Sequence, residues 1–320
     1  MAEELLRTED LKVYYYTQDG IVRAVENVNF SIKKRETIGV VGESGSGKST
    51  LGLAILKLVP PPGKIVNGKM FFQGIELTKL NEKEMQKIRG KKISMVFQDP
   101  TTSLNPLMKI GEHLTETILV HEKVTRDEAC ERALKLLEDV GILRERFNDY
   151  PHQFSGGMRQ RVGIALALAL KPDLVIADEP TSSLDVIVQF QILELMKSLK
   201  KLYDMSLILI THDISIVSEI ADKIALMYAG HLVEIAEVAA FFEEPLHPYA
   251  EALLHSVPNI QLSDQKLEYI PGMPPDLINP PRGCRFHPRC SYVKEICREK
   301  EPPLIQAKPE HFVKCFNYVK

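Results

Sequence analysis

The stretch Gly42-Glu43-Ser44-Gly45-Ser46-Gly47-Lys48-Ser49 constrains this chain more than any other. Its spacing is G-x-x-x-x-G-K-[ST]. It follows an apolar run, Thr37-Ile38-Gly39-Val40-Val41, that reads as a buried strand, and it opens a helical pattern from Thr50 to Leu58. Glycines at these places let backbone N–H groups turn inward around phosphate oxygens. The helix that begins there adds the positive end of its dipole. Lys48 would then reach the β- and γ-phosphates of a nucleotide, and the Ser49 hydroxyl would ligate Mg²⁺, with Thr50 alongside. Without its flanks the stretch is only a flexible glycine loop. With a strand before it and a helix after it, the order commits the chain to an α/β architecture.

Three more apolar runs end at polar residues. Lys92–Phe97 ends at Gln98, Leu174–Ala177 at Asp178-Glu179, and Leu207–Ile210 at Thr211-His212. Continuous apolar runs suit strands buried on both faces of a mainly parallel sheet. Ligands bind beyond the carboxyl ends of such strands, so these polar residues are expected along one edge. Residues 99–172 read as mostly helical and are expected to form an inserted helical subdomain. In it Thr125 begins a capping-box pattern, and Ala129, Ala133, Leu136, Leu137 and Val140 form an apolar stripe that Gly141 stops. The expected organisation is one α/β domain over 1–255 and a small, loop-rich extension over 256–320. The proline clusters Pro271–Pro275 and Pro280–Pro281 break any long element in that extension.

The formal charge of −3 is spread through the chain, and no basic block argues for nucleic acid as a partner. The longest apolar run, Val162–Leu170, is far shorter than the about 20 residues that span a bilayer. The start, Met1-Ala2-Glu3-Glu4, lacks the basic-then-apolar order of a signal peptide. A soluble, cytoplasmic chain is therefore expected, reaching a membrane only through partners.

Asp178 and Glu179 end a buried strand downstream of the phosphate loop. In such an arrangement Asp178 would hold Mg²⁺ through water and Glu179 would polarise the attacking water. Upstream lies Phe154-Ser155-Gly156-Gly157-Met158-Arg159-Gln160-Arg161. Ser155 can cap a helix whose first turn is Gly156-Gly157, a second anion site with no phosphate of its own. At this point the chain resembles the ABC ATPases, a branch of the P-loop NTPases. In that family the Ser-Gly-Gly of one subunit caps the γ-phosphate held by the P-loop of the other. The commoner form is Leu-Ser-Gly-Gly-Gln, from which Phe154 and Met158 depart.

The other motifs follow in family order. Gln98 resembles the Q-loop residue that touches Mg²⁺ or the attacking water. Ser183-Leu184-Asp185 resembles the D-loop at the subunit seam. His212 resembles the switch histidine, and Tyr15, within Tyr14-Tyr15-Tyr16, the aromatic that stacks on adenine. The tyrosine run also suits an edge strand. The resemblance covers about residues 5–255 and implies a mainly parallel core sheet, an antiparallel N-terminal β subdomain and a helical subdomain.

Phe97-Gln98-Asp99-Pro100, Ser103–Pro106, Tyr150–Gln153, Met227–Gly230 and His247-Pro248-Tyr249 resemble the dipeptide/oligopeptide importer subfamily. That resemblance implies a peripheral position at the cytoplasmic face of the cell membrane. The implied partners are a second ATPase subunit, identical or paralogous, two transmembrane permeases and, indirectly, an extracytoplasmic solute-binding protein. One phosphate loop and one Ser-Gly-Gly segment per chain imply that two subunits complete two sites. A DNA-repair type of ABC ATPase would carry long heptads or a basic surface, and neither is visible. An ATPase serving iron–sulfur assembly is the other rival.

Cys284, Cys290, Cys297 and Cys315 have the spacing C-x5-C-x6-C-x17-C. No C-x2–4-C pair of the usual zinc kind occurs, and the ferredoxin runs do not match. Spacing alone leaves an iron–sulfur cluster, zinc and unliganded thiols open. Resemblance to importer subunits with a four-cysteine tail implies a 4Fe–4S cluster that staples a tail too short for its own core. Cys130, in the helical stripe, reads as a small buried residue.

Overall fold

A computed structural model describes residues 3–182, 184–256 and 270–319. These residues gather into two compact units. The first draws on residues 1–5, 32–37 and 73–211, the second on 6–31, 38–72 and 212–320.

In the first unit the strands Ile93–Val96, Leu174–Asp178 and Ser206–Thr211 run parallel, with Val96 opposite Ala177 and Asp178 opposite Ile210. Every residue of the three is buried, as continuous apolar runs demand. Their registers deliver Gln98, Asp178 and Thr211 to one carboxyl edge. The helices Ile110–His121, Arg126–Asp139 and Gly156–Leu168 pack against one another. Leu114, Ile118, Leu136 and Leu137 are buried between them, each contributing about 1.5–3 kcal/mol. Thr125 caps its helix, accepting from the Glu128 N–H at 3.2 Å, and Gly141 ends it at φ 72°. Cys130 corrects the reading of it as buried. It is only partly buried, about 100° round the helix from Ala129, with Sγ 3.8 Å from Thr115 Oγ1.

In the second unit the strand Glu4–Tyr16 lies between Ile21–Lys33 and Gly63–Phe72, antiparallel to the latter. The Tyr14–Tyr16 run is thus in a strand with a neighbour on both sides, not at an edge. Ile38–Val41 of the strand Thr37–Val41 pair parallel with Lys223–Leu226. Lys223–Tyr228 then turns through Ala229 (φ 46°) and Gly230 (φ 83°) into the antiparallel His231–Glu237. The C-terminal segment adds two short strands beyond it, His311–Val313 on His231–Glu237 and Ile305–Lys308 outermost.

The extension is also built into this unit's core. Phe286 packs against Tyr228 and Tyr249, with ring centroids 5.1 and 5.4 Å apart. Glu234, fully buried, accepts from the N–H groups of Leu246 (2.9 Å) and His247 (2.6 Å) and meets His311 Nε2 at 2.7 Å. A buried carboxylate satisfied from three directions fixes the last strands on the helix that follows His247. Residues 257–269, at the expected start of the extension, lie outside the described residues.

Candidate functional site

The phosphate loop belongs to the second unit. The helix after it runs Lys48–Ile55, so it starts two residues before the apolar pattern does. That start puts Lys48 and Ser49 in the first turn, where N–H groups have no intrahelical partner. Gly47 is the N-cap at φ 99°, with no side-chain cap, and a Cβ there would lie 2.0 Å from the Ala24 carbonyl oxygen. Only glycine fits. Lys48 is 5% exposed, and its Nζ donates to the carbonyls of Gly42 (2.7 Å) and Glu43 (3.0 Å), which hold the ammonium across its own loop. Gly45 takes φ 78°, and Ser44 beside it is exposed. The Ser46 hydroxyl is buried and has no hydrogen-bond partner among the described residues. A buried hydroxyl so placed carries a desolvation cost that an anion oxygen would relieve.

Tyr15 lies in the same unit. Its hydroxyl is 3.3 Å from Thr50 Oγ1, and its ring edge lies so near Gly63 that a Cβ there would come within 2.6 Å. Tyr14 faces the other side of the strand and donates to both oxygens of Glu26, and burial together with that carboxylate pushes its phenol up to about 12. Tyr16 is 45% exposed. His212 is exposed, directly before Asp213, which caps the helix Ile214–Ile220.

The first unit gathers three other expected residues. Asp178 is buried at the end of its strand, 6% exposed. Glu179 follows at φ 44°, a left-handed conformation costly for a residue with a side chain. Its N–H donates to the Ile210 carbonyl at 2.8 Å, and its own carbonyl accepts from the Ser182 hydroxyl at 2.9 Å. These bonds hold the turn in its strained form. Gln98 Nε2 donates to Glu179 Oε2 at 3.2 Å.

Ser155 N-caps Gly156–Leu168, its Oγ accepting from the Met158 N–H at 3.3 Å. A Cβ on Gly157 would lie 2.5 Å from Val188 Cγ1, so the glycine lets two helix starts touch. The second of these is Val186–Tyr203, capped by Asp185, which accepts from the Val188 N–H at 3.0 Å. Ser183 lies outside the described residues. Phe154 is buried beneath the Arg146 guanidinium, 4.3 Å from ring centroid to Cζ, so its departure from the commoner leucine serves packing.

The four tail cysteines lie close together in the second unit. Cys297 is buried and the others are partly buried, Cys284 and Cys290 against the Tyr228–Tyr249–Phe286 cluster. Burial pushes the Cys284 thiol up to about 11 and raises Cys290 and Cys315 as well. Each pair among the four is near enough for one thiolate to oppose ionisation of the other. Among the described residues no group of three or more His, Cys, Asp or Glu side chains converges tightly enough to hold a metal ion.

Arg289, Arg285 and Tyr249 contact the phosphate loop or the turn beside it and were not foreseen. Their signals were thin: two arginines among the cysteines, and a His-Pro-Tyr segment read only as a mark of resemblance.

Among the described residues no helix is long and apolar enough to cross a membrane. The family described as "ABC transporter" matches residues 25–182, and that described as "Oligopeptide/dipeptide transporter, C-terminal region" matches 233–297. The chain is 52% identical over 314 residues to the oligopeptide transport ATP-binding protein OppD of Bacillus subtilis (strain 168), covering 97% of this chain and 88% of the relative. It is 45% identical over 321 residues to OppD of Escherichia coli (strain K12), covering 100% and 95%. Among solved structures it is similar to the ATP-binding cassette MJ0796, a dimer in a post-hydrolysis state bound to ADP and Pi. The TM-score is 0.66 and identity 30%, over 73% of this chain and 99% of that one. Phosphate loop, buried strand-end carboxylate and Ser-Gly-Gly helix start thus stand in the cassette fold, and the chain belongs to the ABC transporter ATP-binding subunits of the oligopeptide/dipeptide importer family, which are ATPases.

Proposed function

We propose that this chain energises import of peptides or similar small solutes by closing and reopening a pair of ATPase subunits around ATP. The observation that carries the reading is the pair of unlike helix starts. Lys48 opens one inside its own glycine loop, beside a buried hydroxyl with no hydrogen-bond partner among the described residues, and Ser155 opens the other with a serine cap and two bare glycines. One suits gripping a triphosphate, the other capping a phosphate held elsewhere.

Residues 42–50 bind the phosphates, with Lys48 on the β- and γ-phosphates and Tyr15 against adenine. Ser49, Gln98 and Asp178 supply oxygen ligands for Mg²⁺, whose charge offsets that of the phosphates. Glu179 takes the proton of the attacking water, His212 contacts the γ-phosphate, and Ser155, Gly156, Gly157 and Asp185 serve the partner subunit's nucleotide. Val186, Ile187 and Phe190 support a partnered face: they are 79%, 72% and 59% exposed beside the Asp185 cap. Loss of the γ-phosphate on hydrolysis removes contacts across the pair, and residues after Gln98 pass the motion to two permeases. The subunit pair, identical or paralogous, sits at the cytoplasmic face of the membrane and receives solute through an external binding protein. Residues 1–255 form the ATPase domain and 256–320 its extension.

Glu179→Gln tests the reading. It is expected to bind ATP, to slow hydrolysis by roughly a hundredfold or more, and to accumulate dimers in ATP by size-exclusion chromatography. Wild-type turnover by the Gln variant would refute the assignment of the base.

The four thiols are soft donors of the kind a 4Fe–4S cluster takes, and two of them, Cys284 and Cys290, lie against an apolar cluster. Cys284, Cys290, Cys297 and Cys315 would hold it, and its service is to tie the extension. About four iron and four sulfide per anaerobically purified chain, retained through dialysis against chelator, are expected. Zinc, or metal-free thiols in fully folded protein, would rule the cluster out.

A further inference from the structure

The extension reaches the phosphate loop through one side chain. The Arg289 side chain is 5% exposed, and every guanidinium nitrogen is engaged. Nε donates to the Pro271 carbonyl at 2.8 Å. Nη1 donates to Glu43 Oε2 (2.8 Å) and the Tyr228 hydroxyl (3.3 Å), and Nη2 to Glu43 Oε1 (3.1 Å) and the Ile270 carbonyl (3.4 Å). Burial works against the charge, but the bonds to Glu43 and Tyr228 outweigh it and raise the guanidinium's pKa.

Glu43 is the second residue of the loop, and all of its polar groups are tied. Its N–H donates to the Tyr249 hydroxyl at 3.0 Å. Its carbonyl accepts from Lys48 Nζ at 3.0 Å and from the Ser46 N–H at 3.1 Å. Its carboxylate takes the fork of Arg289. A second arginine of the extension braces the neighbouring turn. Arg285 donates to the Ala229 carbonyl, and the Gly230 N–H next to it donates to the Ser46 carbonyl at 2.9 Å.

A carboxylate is a poor neighbour for a triphosphate. Like charges a few ångströms apart at a protein surface repel by kilocalories, and a bidentate, buried guanidinium cancels that charge while fixing its direction. We propose that Arg289 is a positioning residue of the nucleotide site. Through the Arg289–Glu43 pair the cysteine-rich extension sets ATP affinity, by neutralising the one acidic residue of the loop. The inference rests on residues 42–49 being the triphosphate cradle.

The test is ATP affinity of the full-length chain by equilibrium dialysis, for Arg289→Ala, Glu43→Gln and the double variant. Arg289→Ala is expected to weaken ATP on the order of tenfold. The double variant is expected to return to within about threefold of wild type, because no carboxylate is left to neutralise. Arg289→Ala binding as wild type does would overturn the inference. So would a loss that Glu43→Gln fails to restore, since the arginine would then serve folding alone. Should Arg289→Ala not fold, Glu43→Gln alone decides: it is expected to bind ATP at least as well as wild type, and weaker binding contradicts the proposal. Lys48→Ala separates this from the cradle itself: if its affinity equals wild type, the reading of the loop fails first.

Discussion

The helix beginning at Lys48 and the helix beginning at Ser155 look alike in sequence, each opened by glycine, yet they are finished differently. The first has no side-chain cap, keeps a lysine ammonium bonded to its own loop, and has its second loop residue clamped by Arg289 and Tyr249. The second is capped by its own serine, carries in its first turn Arg159, which donates to the Phe154 carbonyl at 3.0 Å, and rests against the helix capped by Asp185. Both present the positive end of a dipole. Only one encloses a lysine ammonium within its own glycine loop, and the difference fits a helper that acts on a neighbour's ligand.

The largest effect expected from breaking the first start is at Lys48. Lys48→Ala should weaken ATP binding by on the order of a hundredfold or more, measured by dialysis with labelled ATP. Ser155→Ala should leave ATP binding to the isolated chain unchanged and cut turnover by roughly a hundredfold. It should also lower stability by about 1 kcal/mol through the lost cap, and urea unfolding separates the two losses. If Ser155→Ala instead weakened ATP binding by the lone chain, the division of labour would be wrong.

The smallest effect concerns the clamp. His247 Nδ1 accepts from the Tyr249 N–H at 3.0 Å and so caps the helix that carries the tyrosine to the loop. Burial lowers its pKa to about 3. Between pH 6.5 and 3 the unfolded chain therefore binds a proton that the folded chain does not. This contribution is intact above pH 6.5 and falls by up to about 1.4 kcal/mol per pH unit below it. His247→Asn, which keeps a cap acceptor, should flatten the drop in urea midpoint between pH 7 and 5, and an unchanged slope would reject the assignment.

What was legible in the sequence was what lies contiguous along it. Thr37–Val41 has the expected bounds, and the loop and the strand-end carboxylates stand on the expected elements, because each depends on neighbours a few residues away. The Lys48 helix starts early because loop closure, not the apolar pattern, decides its first turn. Long-range pairing was not legible. His311–Val313 and Ile305–Lys308 are too short to carry a period, and exist because His231–Glu237 offers an edge. Arg289 and Glu43 are 246 positions apart, and nothing local to either marks the other. The left-handed turn at Glu179 was hidden too, since it is imposed by bonds to Ile210 and Ser182 rather than by a glycine.

One mixing experiment addresses the two helix starts together. Lys48→Ala and Ser155→Ala chains, each inactive alone, are combined in equal amounts and ATP hydrolysis is followed. If a grip from one subunit is completed by the serine helix of another, each mixed pair regains one sound site, and turnover should return to about a quarter of wild type with random pairing. Where the wild-type chain hydrolyses ATP with no second kind of subunit present, a mixture no more active than its parts, or turnover per chain that is unchanged by dilution to monomer, would contradict the account.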